Sequence, residues 1–476
     1  MLSLDGFMTE LLKGLGVAFV SVGGCGGAMN ISVVGTGYLG ATHAACLAEM
    51  GYEVIGVDVD PLKISALSRG ELPFHEPGLA DLIRQHVASG RLRFTTSYAE
   101  IGAWADIHFL AVGTPQRAGE LAADTTYVED AVRALAENIS KDALIVGKST
   151  VPVGTSRRLQ EILLRYRHSD AEVGLAWNPE FLREGFAVTD TLAPDRIVIG
   201  VQDPKHEEVL RSVYRQPIER GTPVVVTDFE TAELVKAAAN AFLATKISFI
   251  NALSEITEVV GGDIRTLAQG LGLDARIGPS FLRAGLGFGG GCLPKDLRAL
   301  QARASELGQE RSMRFLTEVE EINLRRRERA VHLATSMLGD LPSKQIAVLG
   351  AAFKPDSDDV RDSPALDVAV RLFDAGAEVA VYDPKANENA ARRFPRLTYV
   401  DTVDDAVSGA DLIMVLTEWR EFAELKPEDV QPLTRARKII DGRNILQATD
   451  WTEQGWEFGA LGRRHVPAVE FSTVGL

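Results

Sequence analysis

Met29-Asn30-Ile31-Ser32-Val33-Val34-Gly35-Thr36-Gly37-Tyr38-Leu39-Gly40 reads as a buried strand that breaks into a glycine turn. A helix-like run, Ala41 to Met50, follows, then a second strand, Glu53 to Val57, which ends on Asp58. Strand, glycine turn, helix, strand and acid, in that order, are the parts of a dinucleotide-binding unit. Gly35 allows the tight turn, Gly37 lets the backbone approach a pyrophosphate, and Gly40 lets the helix pack closely. Tyr38 and Leu39 lie inside the same turn. Asp58 stands where a carboxylate accepts from the adenosine ribose hydroxyls and repels a 2′-phosphate, so NAD is expected rather than NADP.

Further strands are expected at Ala105–Val112, Ala143–Gly147, Val173–Trp177 and Ile197–Gly200. Ligands in such sheets bind at the carboxyl ends of strands. Thr114, Thr150 and Glu180 stand at such ends, the threonines alternatively as helix caps and Glu180 alternatively as a solvated loop residue. From Asp228, a plausible helix N-cap, the pattern changes. Thr231 to about Val260 carries Ala, Leu and Ile at helical spacing, long enough for a spine between domains and a dimer surface. Lys236 and Asn240 share one face of it. They are either donors into a site or an exposed polar stripe, and spacing alone favours the stripe.

Gly285-Leu286-Gly287-Phe288-Gly289-Gly290-Gly291-Cys292-Leu293-Pro294-Lys295-Asp296 leads five glycines into a cysteine. Pro294 suits a first helical turn, whose free N–H groups would face Cys292 and lower its thiol pKa. Asp296 follows one turn later. The alternative is a glycine turn with a structural cysteine. Helices are expected over Leu297–Ala304 and Arg314–Met337, with Arg325-Arg326-Arg327 as a solvated face.

The last third repeats the first in outline. Gln345–Gly350, Glu378–Asp383 and Ala410–Val415 echo Ile31–Gly35, Glu53–Asp58 and Ala105–Leu110. Here the first turn is Gly350-Ala351-Ala352-Phe353-Lys354-Pro355, without the three glycines, so a second dinucleotide is not expected. Lys354, Arg361 and Arg443 lie at or near strand ends and suit a different diphosphate. The fold class is α/β, with two doubly wound Rossmann-like domains joined by a long helix and a helical dimerisation segment. The expected divisions are 1–28, a disordered upstream extension; 29–225, the NAD domain; 226–335, the helical segment with the cysteine loop; and 336–476, the second α/β domain.

The 476 residues carry a net charge of −16 and 46% hydrophobic residues, which disfavours a nucleic-acid surface. No apolar run reaches membrane-spanning length. Cys25, Cys46 and Cys292 are too few and too scattered for a disulfide framework or a zinc site, so a reducing, cytoplasmic setting and no metal are expected.

A dinucleotide fold implies hydride transfer, and an activated cysteine implies a covalent step. Together they point past an aldehyde to a carboxylate, by way of a thiohemiacetal and a thioester on Cys292. Lys236 and Asn240 suit an oxyanion hole, and Asp296 or Glu180 proton and water handling.

The chain resembles the UDP-glucose/GDP-mannose dehydrogenase family from about Asn30 into the C-terminal region. The resemblance is carried in order by GTGYLG (35–40), KSTVPVGT (148–155), NPEFLREG (178–185), Lys236-Ala-Ala-Ala-Asn240, GFGGGCLPKD (287–296), FKPDSDDVRDSP (353–364) and DGRN (441–444). It implies oxidation of UDP-glucose to UDP-glucuronate with two NAD. By motif position, Cys292 would be the nucleophile, Lys236 and Asn240 the oxyanion stabilisers, Asp296 the holder of water, Glu180 the aid to hydrolysis and Thr150 the residue ordering that water. Gly35, Gly37, Tyr38, Leu39, Gly40, Asp58, Lys63, Thr114, Thr150, Glu184, Lys295 and Arg361 would hold NAD. Glu180, Phe181, Leu182, Lys236, Asn240, Phe281, Gly289, Lys354 and Arg443 would hold the nucleotide sugar, and Arg276 would reach across a homodimer. The family often has Ser where this chain has Gly291. Phe281-Leu282-Arg283-Ala284-Gly285 and Pro194-Asp195-Arg196-Ile197-Val198 resemble the UDP-glucose branch more than the GDP-mannose branch. UDP-N-acetylhexosamine dehydrogenases resemble the chain less. A non-catalytic nucleotide-sugar-binding protein and a two-electron hydroxyacid dehydrogenase fit less well, because neither needs Cys292, Lys236, Asn240 and Asp296 together.

Overall fold

The computed structural model describes residues 29–466, and the extension expected over 1–28 lies outside them. Eight strands form the first sheet: β1 (Asn30–Val34), β2 (Glu53–Val57), β3 (Leu92–Thr95), β4 (Ile107–Leu110), β5 (Ala143–Gly147), β6 (Val173–Trp177), β7 (Ile197–Gly200) and β8 (Val224–Thr227). Their order is β3-β2-β1-β4-β5-β6-β7-β8. All pairs are parallel except β6 with β7, which meet antiparallel at Trp177 and Gly200. The order reverses direction between β1 and β4, the crevice where open α/β sheets bind ligands.

The strands are apolar throughout because helices cover both faces. Along β1, Ile31 and Val33 pack into one core, while Val34 packs into the core on the opposite face with Phe229 of the long helix.

The second sheet has β9 (Gln345–Leu349), β10 (Glu378–Tyr382), β11 (Thr398–Tyr399), β12 (Leu412–Val415), β13 (Lys438–Asp441) and β14 (Glu457–Ala460), in the order β11-β10-β9-β12-β13-β14. It is parallel throughout and repeats the first six positions of the first sheet. The repeat extends to side chains. Asp383 ends β10 as Asp58 ends β2, but its Oδ2 already accepts from the N–H groups of Ala351 and Ala352 and from Trp419 Nε1. This buried, fully occupied acid leaves no free acceptor for a ribose.

A 32-residue helix, Phe229–Val260, links the sheets. Asp228 caps it by accepting from the Thr231 N–H at 2.7 Å, which contributes about 1 kcal/mol. Ala241 and Ala244 of this spine pack against Phe288 and Leu297 of the cysteine region and Leu316 and Val319 of the next helix, Phe315–Leu338. Small alanines let the cysteine helix, Leu293–Glu306, approach the spine closely.

One expectation is overturned here. Arg326 is fully buried and Arg327 nearly so, not a solvated face. Arg326 Nε donates to the Gly285 carbonyl at 3.0 Å, and Arg327 reaches Asp367 and the Asp362 carbonyl. Three consecutive residues point in three directions around a helix, so only Arg325 keeps a largely outward position.

Candidate active site

Cys292 is the N-cap of the cysteine helix, with Pro294 in its first turn. The loop before it is pinned from below. Asn251 Oδ1 accepts from Gly285 N–H at 2.8 Å, Asn323 bonds both the N–H and the carbonyl of Phe288, and Arg326 holds the Gly285 carbonyl. Asn251 and Asn323 do not stand out in the sequence, and Arg326 reads there as part of a solvated face, because the partners are backbone groups of a distant loop. Gly290 and Gly287 have positive φ, and a Cβ at either would strike Phe353 or Asn323.

Lys236 and Asn240 are buried, so the exposed-stripe reading fails. Asn240 Nδ2 donates to Asp296 Oδ2 at 2.7 Å, and Lys295 Nζ lies 2.6 Å from Asp296 Oδ1. Lys236 Nζ pairs with Glu180 Oε1 at 2.9 Å, over the face of Phe181. Burial disfavours the Lys236 charge, but Glu180, Cys292 and Asp296 outweigh that and raise its pKa, so it stays an ammonium. Glu180 is held a second time by the Leu182 N–H at 2.7 Å and is not a solvated loop residue. Thr114 Oγ1 donates to the Thr150 carbonyl at 2.6 Å, so it caps no helix, and Lys295 Nζ lies 3.5 Å from Thr114 Oγ1.

The thiol behaves differently from expectation. Cys292 opens to solvent within the cleft, yet protein encloses it on the wider scale that governs ion solvation. That burial, with Asp296 and Glu180 nearby, pushes its pKa up to about 12, against the pull of Lys236. The helix N-terminus does not overcome this, so the resting group is a thiol.

The glycine turn fits a dinucleotide. Gly35 has φ +88° and its absent Cβ would stand 2.9 Å from the Ala111 carbonyl; a Cβ on Gly40 would strike the Gly35 carbonyl at 1.7 Å. At Gly37 a Cβ would meet nothing, leaving open space over the start of the Tyr38–Glu49 helix, where orphan N–H groups favour a pyrophosphate. Asp58 is oriented by Thr36 N–H at 2.8 Å and Lys63 Nζ at 2.8 Å. Burial raises its pKa, but Lys63 and the backbone donors prevail and hold it low, so it remains an acceptor for hydroxyls. Leu39 is half-buried behind the turn. The Tyr38 hydroxyl meets buried Glu76, which also accepts from Gly185 and Ala187 N–H. Glu76 thus ties the turn to the 178–185 loop, a link invisible in the sequence.

The second domain closes over this loop. Lys354 Nζ bonds the Glu184 carbonyl at 2.5 Å, Ser357 Oγ bonds Glu184 Oε2 at 3.1 Å, and Arg361 lies 3.4 Å from Glu184 Oε1. Burial and the neighbouring Asp359 push the Glu184 pKa up to about 7. Arg443 reaches the Gly287 and Phe353 carbonyls at 3.0 and 3.3 Å. Gly289 packs on Asp362 and Pro364, and a Cβ at Gly291 would fall on the Arg361 guanidinium. Leu182 lines a cavity beside Glu180, and Phe281 is exposed, with φ +64°. Arg276 stands apart, exposed and, among the described residues, paired only with Asp274.

The chain matches three consecutive descriptions of one family: "UDP-glucose/GDP-mannose dehydrogenase family, NAD binding domain" over residues 29–218, "central domain" over 230–325 and "UDP binding domain" over 347–448. This chain belongs to that family. It is an NAD-dependent oxidoreductase, with NAD held by the first α/β domain and a UDP group by the second. It is 41% identical to the UDP-glucose 6-dehydrogenase YwqF of Bacillus subtilis over 92% of this chain and 98% of that one. It is 42% identical to the UDP-glucose 6-dehydrogenase of Rhizobium meliloti over 91% of this chain and 100% of that one. Among solved structures, a UDP-glucose dehydrogenase from Pyrobaculum islandicum superposes with a TM-score of 0.84 at 37% identity, covering 90% of this chain and 97% of that one. A UDP-D-ManNAc dehydrogenase from Pyrococcus horikoshii gives 0.80 at 27% identity, covering 91% and 99%. No helix among the described residues is long and apolar enough to cross a membrane.

Proposed function

We propose that the protein oxidises UDP-glucose to UDP-glucuronate through a covalent intermediate on Cys292. The observation that carries this reading is the convergence of Cys292, Lys236, Asn240, Asp296 and Glu180 between an NAD domain and a UDP domain. NAD, when bound, supplies the hydride acceptor.

Lys236 is a buried cation placed to stabilise an alkoxide or tetrahedral oxyanion, with Asn240 as a second donor. Because Cys292 rests as a thiol, giving up its proton costs free energy as the sulfur bonds the aldehyde carbon, and that proton ends on the aldehyde oxygen as the thiohemiacetal hydroxyl. The developing oxyanion beside Lys236 offsets that cost. After the second hydride leaves, the thioester is attacked by water positioned by Asp296 and Thr150, with Glu180 as proton acceptor. Lys354, Arg361 and Arg443 offer cations toward the nucleotide, and Phe181, Leu182, Phe281 and Gly289 line the sugar side.

An exposed apolar stripe on the spine supports a homodimer. Phe242, Phe249 and Ile256, at seven-residue spacing, are 66%, 55% and 58% exposed, and Phe315 lies exposed on the adjacent helix. Arg276, exposed and outside its own site, would then act in the partner. The domain limits near 225 and 335 and a cytoplasmic setting complete the proposal; a reducing compartment keeps Cys292 free.

The test is a substrate panel. Purified protein with NAD should form NADH from UDP-glucose and little from GDP-mannose or UDP-N-acetylglucosamine. Preference for either of the others would refute the substrate assignment.

A further inference from the structure

A cavity of about 50 Å³, room for a few waters, shares Glu180, Phe181 and Leu182 with the candidate active site but has no wall from Cys292, Lys236, Asn240 or Asp296. Its polar interior is unusual. Lys148 is buried, and its Nζ has only neutral partners, Asn178 Oδ1 at 2.9 Å and the Tyr214 hydroxyl at 3.2 Å. An ammonium has three N–H groups, so one is left for another acceptor. His43 is 1% exposed, and its Nε2 has no hydrogen-bond partner among the described residues. Burial and the Lys148 charge keep that imidazole neutral. Buried polar atoms that face a cavity large enough for water are ordinarily satisfied by water. Exposed Asp195 stands at the wall that reaches the surface, with Asp190 beside it.

Hydrolysis needs a water supply and a proton exit while two nucleotides cover the front of the cleft. We propose that this cavity is hydrated and is the route by which water reaches, and a proton leaves, Glu180 during release of the acyl group from Cys292. The inference rests on the acyl-cysteine reading above. In the step itself, the water oxygen bonds the acyl carbon and the C–S bond breaks with its electron pair returning to Sγ. One water proton goes to the sulfur. The other passes to Glu180 and out through the waters on Lys148, Tyr214 and His43 toward Asp195. No oxidant is consumed. Lys148 is here a positioning residue: it holds the waters and, through Asn178, the start of the loop that carries Glu180.

Stopped-flow turnover of Lys148→Met with NAD and UDP-glucose tests this. The expected result is a rapid burst of two NADH per active site, then a steady state slowed about a hundredfold. Intact-mass spectrometry should find the acyl adduct on Cys292 during that steady state. An unchanged steady state would overturn the proposal, and so would equal slowing of both hydride steps with no adduct. If Lys148→Met does not fold, Thr191→Leu, which narrows the same cavity, should give the same burst; a wild-type time course from it would overturn the proposal too. Failure of the underlying reading looks different: the unmodified enzyme would then form one NADH per UDP-glucose whatever stands at position 148.

Discussion

The ammonium of Lys236 lies 2.9 Å from Oε1 of Glu180, and both side chains are shut away between the NAD domain and the spine helix. The pair joins an electrophile-stabilising cation to a proton acceptor, and Glu180 helps to hold the charge on Lys236. Removing one member strands a buried charge. Lys236→Met is therefore expected to lower kcat about 10²- to 10³-fold and to cost about 3 kcal/mol in stability. The double variant with Glu180→Gln should recover much of that stability and none of the activity. Denaturant melts and steady-state kinetics check both; a single variant with kcat within a factor of about three would contradict the oxyanion role.

Cys292 gives a pH prediction. Its pKa is pushed up to about 12, above its ordinary value, so the thiol form dominates in the free enzyme at neutral pH. Thiolate is the reactive species. Alkylation by iodoacetamide should thus be slow at pH 7 and rise about tenfold per pH unit through pH 9 without levelling. Mass spectrometry of the labelled peptide follows it. A plateau below pH 8 would mean the helix N-terminus has won over burial.

Two glycines three positions apart should separate stability from binding. Gly40→Ala places a Cβ at 1.7 Å from the Gly35 carbonyl, so the turn must move, at a cost of about 1–3 kcal/mol or more. Gly37→Ala meets no protein atom and should leave the melting temperature unchanged while weakening NAD roughly tenfold or more. Calorimetry and NAD titration read the two effects; equal destabilisation by both would contradict the assigned ligand space over Gly37.

The dimer face and Arg276 form one prediction. Phe249→Glu should yield a monomer by light scattering. Arg276→Ala should remain dimeric and equally stable, because its partner Asp274 is a surface contact, yet show a raised KM for UDP-glucose. An unchanged KM would remove Arg276 from the site.

The two sheets were readable from the sequence because buried parallel strands are continuous apolar runs that end in marked turns, as at Val34–Gly35 and Leu349–Gly350. The short strands β3 (Leu92–Thr95), β8, β11 and β14 are not marked in the sequence; in β3, Arg93 interrupts the apolar run, and the strand pairs with β2 at the sheet edge. The antiparallel meeting of β6 and β7 left no local sign. Motifs located Cys292, Lys236 and Asn240, but spacing could not reveal that the last two are buried, since that depends on the cysteine helix lying across an alanine face. Glu76, Glu233, Asn323 and Arg326 were not legible at all. Each satisfies backbone groups far away in the chain; Glu233, for instance, accepts from the Gly154 and Ser156 N–H groups 2.6 and 2.7 Å away. The expected low thiol pKa failed because dipole arguments count the helix and not the enclosure around it.

The central claim is that one sugar carbon is oxidised twice on one enzyme with an acyl-cysteine between. The direct measurement is NADH formed per UDP-glucose consumed, with NAD in excess. The account predicts two for the unmodified protein and loss of turnover, with nucleotide binding intact, for Cys292→Ser. One NADH per sugar, or full turnover by Cys292→Ser, would contradict it.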